Sequence, residues 1–117
     1  MANEKTPHGN VPMLVLNLLQ NKDMYGYQII EELRNKSNNV FNLKSGSLYP
    51  VLHNLEKDGL VTSYDGNTST ARVRRYYSIT KAGTKSLHTK KEEWASYTQA
   101  INNIILDFAG GEVAYGN

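Results

Sequence analysis

Residues 44–83, KSGSLYPVLHNLEKDGLVTSYDGNTSTARVRRYYSITKAG, set a short amphipathic helix directly before two β-type runs, and few small folds accept that order. Leu48, Val51, Leu52 and Leu55 recur at helical spacing and form one inward stripe. Ser45 and Ser47 are N-cap residue types. Pro50 falls in the first turn, where backbone N–H groups lack helical partners in any case. Gly59 suits the left-handed residue that ends a helix. Residues 60–64 then read as a strand, 65–70 as the polar tip of a hairpin and 73–79 as the return strand. Alternation puts Val73, Arg75, Tyr77 and Ile79 on one face and Arg74 and Tyr76 on the other.

The flanking segments extend this pattern. Residues 11–20, VPMLVLNLLQ, are almost continuously apolar, with Pro12 in a first-turn position. Leu14, Val15, Leu18 and Leu19 make one stripe, and Met13 and Leu16 fall off it. A helix apolar on more than one side must be covered twice, which in 117 residues suggests a partner subunit. Asn21-Lys22-Asp23 reads as a break, and residues 25–36 as a second helix with Tyr25, Ile29, Ile30 and Leu33 toward the core. Thr80 is a plausible N-cap for a final helix over 81–108. In it Leu87, Trp94, Ile101 and Phe108 recur every seventh residue, with Tyr97 and Ile104 as a second column. Such a helix is about 42 Å long at about 1.5 Å per residue, and its far half needs another surface, most simply a second copy of the chain. The fold class expected is mainly α with a small β-hairpin. It comprises a winged helix-turn-helix over 11–80 and a dimerisation helix over 81–109, between a flexible arm (1–10) and a flexible tail (110–117).

Several function classes are set aside. No apolar run approaches the roughly 18 residues of a membrane span, and MANEKTPHGN lacks a signal-peptide core, so a cytoplasmic protein with no membrane partner is expected. There is no cysteine, and His8, His53 and His88 are scattered, so no metal or cofactor is expected. HExxH, GxSxG, GxGxxG and P-loop motifs are absent, which argues against an enzyme.

Charge supplies the positive signal. The net charge of +2 hides seven cations and no acid within residues 72–91. Such a run is often only a solvated face, but here it adjoins a helix-hairpin unit able to grip DNA. The outer side of the third helix carries Ser45, Ser47, Tyr49, His53, Asn54 and Lys57, suited to reading base edges of a double-stranded operator. Arg72, Arg74 and Arg75, with Thr68 and Ser69, suit phosphate contact. Arg75 shares the face of Val73 and Tyr77, so it either joins that contact or pairs with an acid such as Glu56. A winged helix used only to bind protein is the alternative. Leu87, Trp94, Ile101, Ile104 and Phe108 are the candidate homodimer interface. Trp94 is either part of that core or, with Tyr97, Met13 and Leu16, a stacking plate for a small aromatic effector.

GSLYPVLHNLEKDGLV followed by RRYYSITKAG, with YGYQIIEEL upstream, resembles the signature of the PadR family of bacterial transcriptional regulators over about residues 11–83. Ser47-Leu48-Tyr49 falls on the family's third-helix start, Leu55-Glu56 on its LE pair, Gly59-Leu60 on its turn, and Arg74, Arg75, Tyr76 and Tyr77 on its basic-aromatic wing strand. Ala71 stands where the family often has glycine. The length and single terminal helix resemble the short, LmrR-like subfamily. That resemblance implies a DNA-binding repressor and a homodimer in which the last helix packs on the partner's first and last helices. It also implies Trp94 as a stacking residue for a planar aromatic or phenolic drug.

Overall fold

The computed structural model describes residues 7–66 and 73–106. A 3-10 turn (Pro7–Asn10) leads into α1 (Val11–Asn21), β1 (Met24–Tyr25), α2 (Gly26–Lys36), α3 (Ser45–Lys57), β2 (Val61–Gly66), β3 (Arg74–Ile79) and α4 (Lys81–Ile105). The chain forms two compact units, Met1–Leu87 and His88–Asn117. The 3-10 turn claims the last residues of the expected arm. The rest of the arm and the expected tail lie outside the described residues.

In the first unit α1 is the hub: α2, α3, β3 and the 3-10 turn all pack on it. Val11, Val15 and Leu16 have no exposed surface, and Leu18 and Leu19 almost none. This corrects two expectations. The second side of α1 is covered by its own chain, so it is no argument for a partner. Leu16, placed off the stripe and offered to a ligand, is wholly in the core, because four elements of its own unit surround α1. Leu87 is likewise buried in this core and is not left for a partner helix.

The sheet has three antiparallel strands in the order β1-β3-β2, where a two-stranded hairpin was expected. Met24, between the expected break and the expected second helix, and Tyr25, expected as that helix's first residue, pair with Tyr77 and Tyr76. Two residues are too few for a period to show, but Met24 is only 4% exposed, and its burial ties the strand down. Tyr25 then turns the chain into α2, its backbone N–H donating to Gln28 Oε1 at 3.1 Å. On the other side, β2 and β3 stay paired as far as Asp65 with Arg75 and Gly66 with Arg74. Two residues assigned to the tip are therefore strand. Val73 precedes β3 and is exposed.

Local chemistry fixes the joints. Gly59, at φ 78°, ends α3: its N–H bonds the Glu56 carbonyl at 3.0 Å and that of Leu60 bonds Leu55 at 2.9 Å, a Schellman pattern. The same pattern closes α2 with Asn38 and Asn39 at positive φ, Asn39 N–H reaching the Arg34 carbonyl at 2.8 Å. Thr80 caps α4 as its residue type implied. Its hydroxyl accepts the Gly83 N–H at 2.9 Å and donates to the Gly59 carbonyl at 2.8 Å, tying the last helix to the end of α3.

Helix α4 is continuous for 25 residues, about 37 Å. In the second unit Trp94, Tyr97 and Ile104 are exposed, and Ile101 is half-buried. The Trp94 and Tyr97 rings lie 6.0 Å apart, tilted by 40°. Phe108 lies outside the described residues.

Candidate nucleic-acid interface

The α3 stripe works as its spacing dictates. Leu48, Leu52 and Leu55 are buried, so the 100° step between residues turns Ser45, Ser47, Tyr49, His53, Asn54 and Lys57 outward, and all six are exposed. Pro50 is exposed on the same side; it is the sixth residue of α3 and not in the first turn as expected, so the Gly46 carbonyl goes without its backbone hydrogen bond there. Tyr49 is held by a close approach: its ring lies over Gly26, the first residue of α2, where a Cβ would stand 2.8 Å from the ring carbon Cζ and overlap the hydroxyl oxygen. Glycine at 26 thus gives the Tyr49 side chain its place.

Of the wing residues, Thr68, Ser69 and Arg72 lie outside the described residues. Arg74 and Arg75 are exposed on β3, and successive side chains point to opposite faces.

One face carries a row that sequence reasoning missed. Tyr25 and Tyr64 both register with Tyr76, so three tyrosines lie side by side across three strands. Tyr25 meets Tyr76 edge-on at 5.4 Å, and Tyr64 stacks on Tyr76 at 5.7 Å with 15° between the planes. The guanidinium carbon of Arg74 sits 4.4 Å above the centre of the Tyr25 ring. The Tyr64 hydroxyl donates to Asp23 Oδ2 at 2.5 Å, and that bond, first among the causes, holds its pKa above the usual 10.0. Gly66 leaves the room that Tyr76 occupies, since a Cβ there would overlap the Tyr76 ring. The signal lay in the two-residue strand: without β1 there is no register to bring Tyr25 beside Tyr76.

The other face carries Arg75 and Tyr77. Burial raises the Tyr77 pKa first of all, and the Arg75 charge beside it pulls the other way. The Glu56 carboxylate accepts a hydrogen bond from Ser63 Oγ at 2.7 Å. Among the described residues it forms no ion pair with Arg75, so the suggested Arg75–Glu56 pairing is not made. The two faces meet at an open groove of about 500 Å³ lined by Tyr25, Gly26, Tyr27, Tyr49, Val73, Arg74 and Arg75.

Among the described residues no cluster of three or more His, Asp or Glu could hold a metal ion, and no helix is long and apolar enough to cross a membrane. Of the residues offered to an aromatic ligand, Leu16 is buried, Met13 is half-buried against the core, and Trp94 and Tyr97 are exposed.

Comparison with known proteins agrees with the fold. Residues 15–89, from α1 into α4, match the model of the transcriptional regulator PadR-like family. Transcriptional regulator Rv3488 of Mycobacterium tuberculosis is 34% identical over 102 residues, covering 87% of this chain and 85% of that protein. The solved structure of a transcriptional regulator from Clostridium thermocellum is 36% identical and superposes with a TM-score of 0.77, over 84% of this chain and 92% of that one. A PadR family transcription regulator from Clostridium difficile is 32% identical with a TM-score of 0.73, over 82% and 98%.

Proposed function

The chain belongs to the PadR-like family of transcriptional regulators, which bind DNA, and from this we propose that it is a homodimeric repressor of an inverted-repeat operator. Helix α3 reads base edges through Ser45, Ser47, Tyr49, His53, Asn54 and Lys57, while Arg74 and Arg75 hold the backbone, a role the sequence also gives to Arg72, Thr68 and Ser69. The observation that carries this reading is the exposed face of α3, which presents these six polar and aromatic side chains beside two exposed arginines of β3.

Two copies are required for two half-sites one helical turn apart. The exposed apolar column of α4, with Trp94, Tyr97 and Ile104, supports pairing through that helix. A planar aromatic or phenolic effector stacking on Trp94 and Tyr97 would change the spacing of the two reading helices and release the operator.

The test is selection of preferred duplexes from a random pool, followed by affinities for the selected and a scrambled sequence at fixed salt. Replacing Tyr49 or His53 by alanine should lower the ratio of the two affinities, by up to tenfold or more where a base contact is lost. Equal loss on both sequences would remove α3 from the reading role. A parent chain that binds no duplex even at low salt would leave a protein-binding winged helix as the better account.

A further inference from the structure

The groove between α3 and the wing has a one-sided chemistry. Its polar side chains among the described residues are the phenols of Tyr25, Tyr27 and Tyr49 and the guanidinium groups of Arg74 and Arg75, and no carboxylate is among them. Arginine offers only donors, and a phenol offers one. The Tyr27 hydroxyl is engaged by Glu31 and the Arg75 guanidinium by the Tyr77 hydroxyl, which leaves Tyr49 and Arg74 as the donors facing an occupant, with the Tyr25 ring beneath Arg74. A set of donors with two positive charges and no acid suits an oxyanion. At about 500 Å³ and open to solvent, the groove has room for a phosphate with the sugars on either side of it.

Arg74 is also held in place. Its guanidinium carbon lies 4.4 Å from the centre of the Tyr25 ring, a cation–π contact that does not consume its N–H donors. Tyr25 in turn is fixed by its strand pairing with Tyr76, by its N–H bond to Gln28 and by the edge-on contact with the Tyr76 ring. Behind Tyr76 stand Tyr64 and the Tyr64–Asp23 hydrogen bond. A cation set on a braced platform loses less freedom on binding than one on a free chain.

We infer that this groove seats one phosphodiester of the bound DNA between the reading helix and the wing, with Arg74 making the contact and Tyr25 as the positioning residue that sets its guanidinium. The inference rests on the DNA-binding reading above and adds to it a specific seat and a residue outside both α3 and the wing strand.

The experiment uses the full chain and a short duplex of random sequence over a series of chloride concentrations. Arg74→Ala should flatten the log–log salt dependence by about 0.9. Tyr25→Leu should weaken binding roughly two- to fivefold, the worth of an exposed cation–π contact, whereas Tyr25→Phe should bind like the parent. Arg74→Ala combined with Tyr25→Leu should be no weaker than Arg74→Ala alone, because Tyr25 acts through Arg74. Losses that multiply in the double variant would overturn the positioning role, as would a Tyr25→Phe as weak as Tyr25→Leu. Should Tyr25→Leu fail to fold, Arg74→Lys decides: it keeps the charge but not the flat fork, so the inference requires weaker binding with nearly the parent slope, and parent-like affinity overturns it. Inorganic phosphate at equal ionic strength should compete no better than chloride against the parent. Stronger competition that vanishes in Arg74→Ala would assign the seat to free phosphate and overturn the inference. If the parent binds duplex and Arg74→Ala matches it in affinity and slope, the seat alone is wrong. If the parent does not bind, the DNA reading fails with it.

Discussion

Gly83 lies directly against the backbone of Leu60: a Cβ at position 83 would overlap the Leu60 carbonyl oxygen and stand 2.8 Å from the Ile79 side chain. That carbonyl also accepts the Thr80 N–H at 3.1 Å, so the start of α4 and the turn after α3 share one point of contact. In an exposed helix Gly→Ala gains about 1 kcal/mol. Here backbone would have to move, so Gly83→Ala should cost about 1–3 kcal/mol instead. Urea unfolding checks the sign, and an unchanged or higher midpoint would contradict the contact.

Gly59 tests a different cause. Nothing lies within 4 Å of its would-be Cβ, but its φ is 78°. Gly59→Ala should therefore lose about 1–2 kcal/mol from backbone strain alone, and Gly59→Asn less, since asparagine tolerates that conformation. Equal midpoints for the two variants would argue against a left-handed residue at the end of α3.

Gly26→Ala should separate stability from recognition. The overlap there is with the end of the Tyr49 side chain, which can swing away, so the unfolding midpoint should shift by less than about 1 kcal/mol. Tyr49 would leave its place on the α3 face, and discrimination between selected and scrambled duplexes should fall toward that of Tyr49→Ala. Full discrimination with the alanine in place would mean that Tyr49 needs no fixed position.

These joints show what was legible in the sequence. Side-chain period exposed the inward face of α3, and residue type exposed the caps at Gly59 and Thr80, because each is decided by neighbours within a turn. The outward set on α3 followed from the same stripe. The burial of Leu16 and Leu87 was not legible, since it depends on how many elements surround α1, a property of the whole unit. The Tyr25–Tyr76–Tyr64 row depended on a strand of two residues, too short to carry a period, and on a register that no local pattern encodes. The platform under Arg74 was hidden for that reason, although the arginine itself was plain.

Alkaline pH should loosen the fold. Tyr27, Tyr64 and Tyr77 all have raised pKa values: Tyr27 chiefly through its hydrogen bond to Glu31, Tyr64 chiefly through that to Asp23, and Tyr77 chiefly through burial. A folded-state pKa above the unfolded 10.0 means the native state keeps its proton longer. The stability this provides is complete below about pH 10 and is lost as pH rises through the folded values. Thermal unfolding followed from neutral to strongly alkaline pH should show that fall, and Tyr64→Phe should make it shallower. A midpoint that stays level above pH 10 would contradict the phenol–carboxylate bonds.

The proposed dimer makes the last prediction. Ile104 is 76% exposed and Trp94 43% exposed in the single chain, and both lie on the column that includes Tyr97 and Ile101. Exposed apolar side chains scattered singly need no cover, but a column along one helix does. If a second α4 covers it, a charge on the column is left without water or partner and should be strongly disfavoured. Ile104→Glu should therefore convert the chain from dimer to monomer in sedimentation, while leaving the first unit folded by circular dichroism. Trp94 emission should shift to the red in the same variant as water reaches the indole. The monomer should bind a single half-site weakly and lose the extra affinity that two linked half-sites give the parent. A parent that sediments as a monomer at all concentrations, or an Ile104→Glu that remains dimeric, would place the pairing surface elsewhere than on this column.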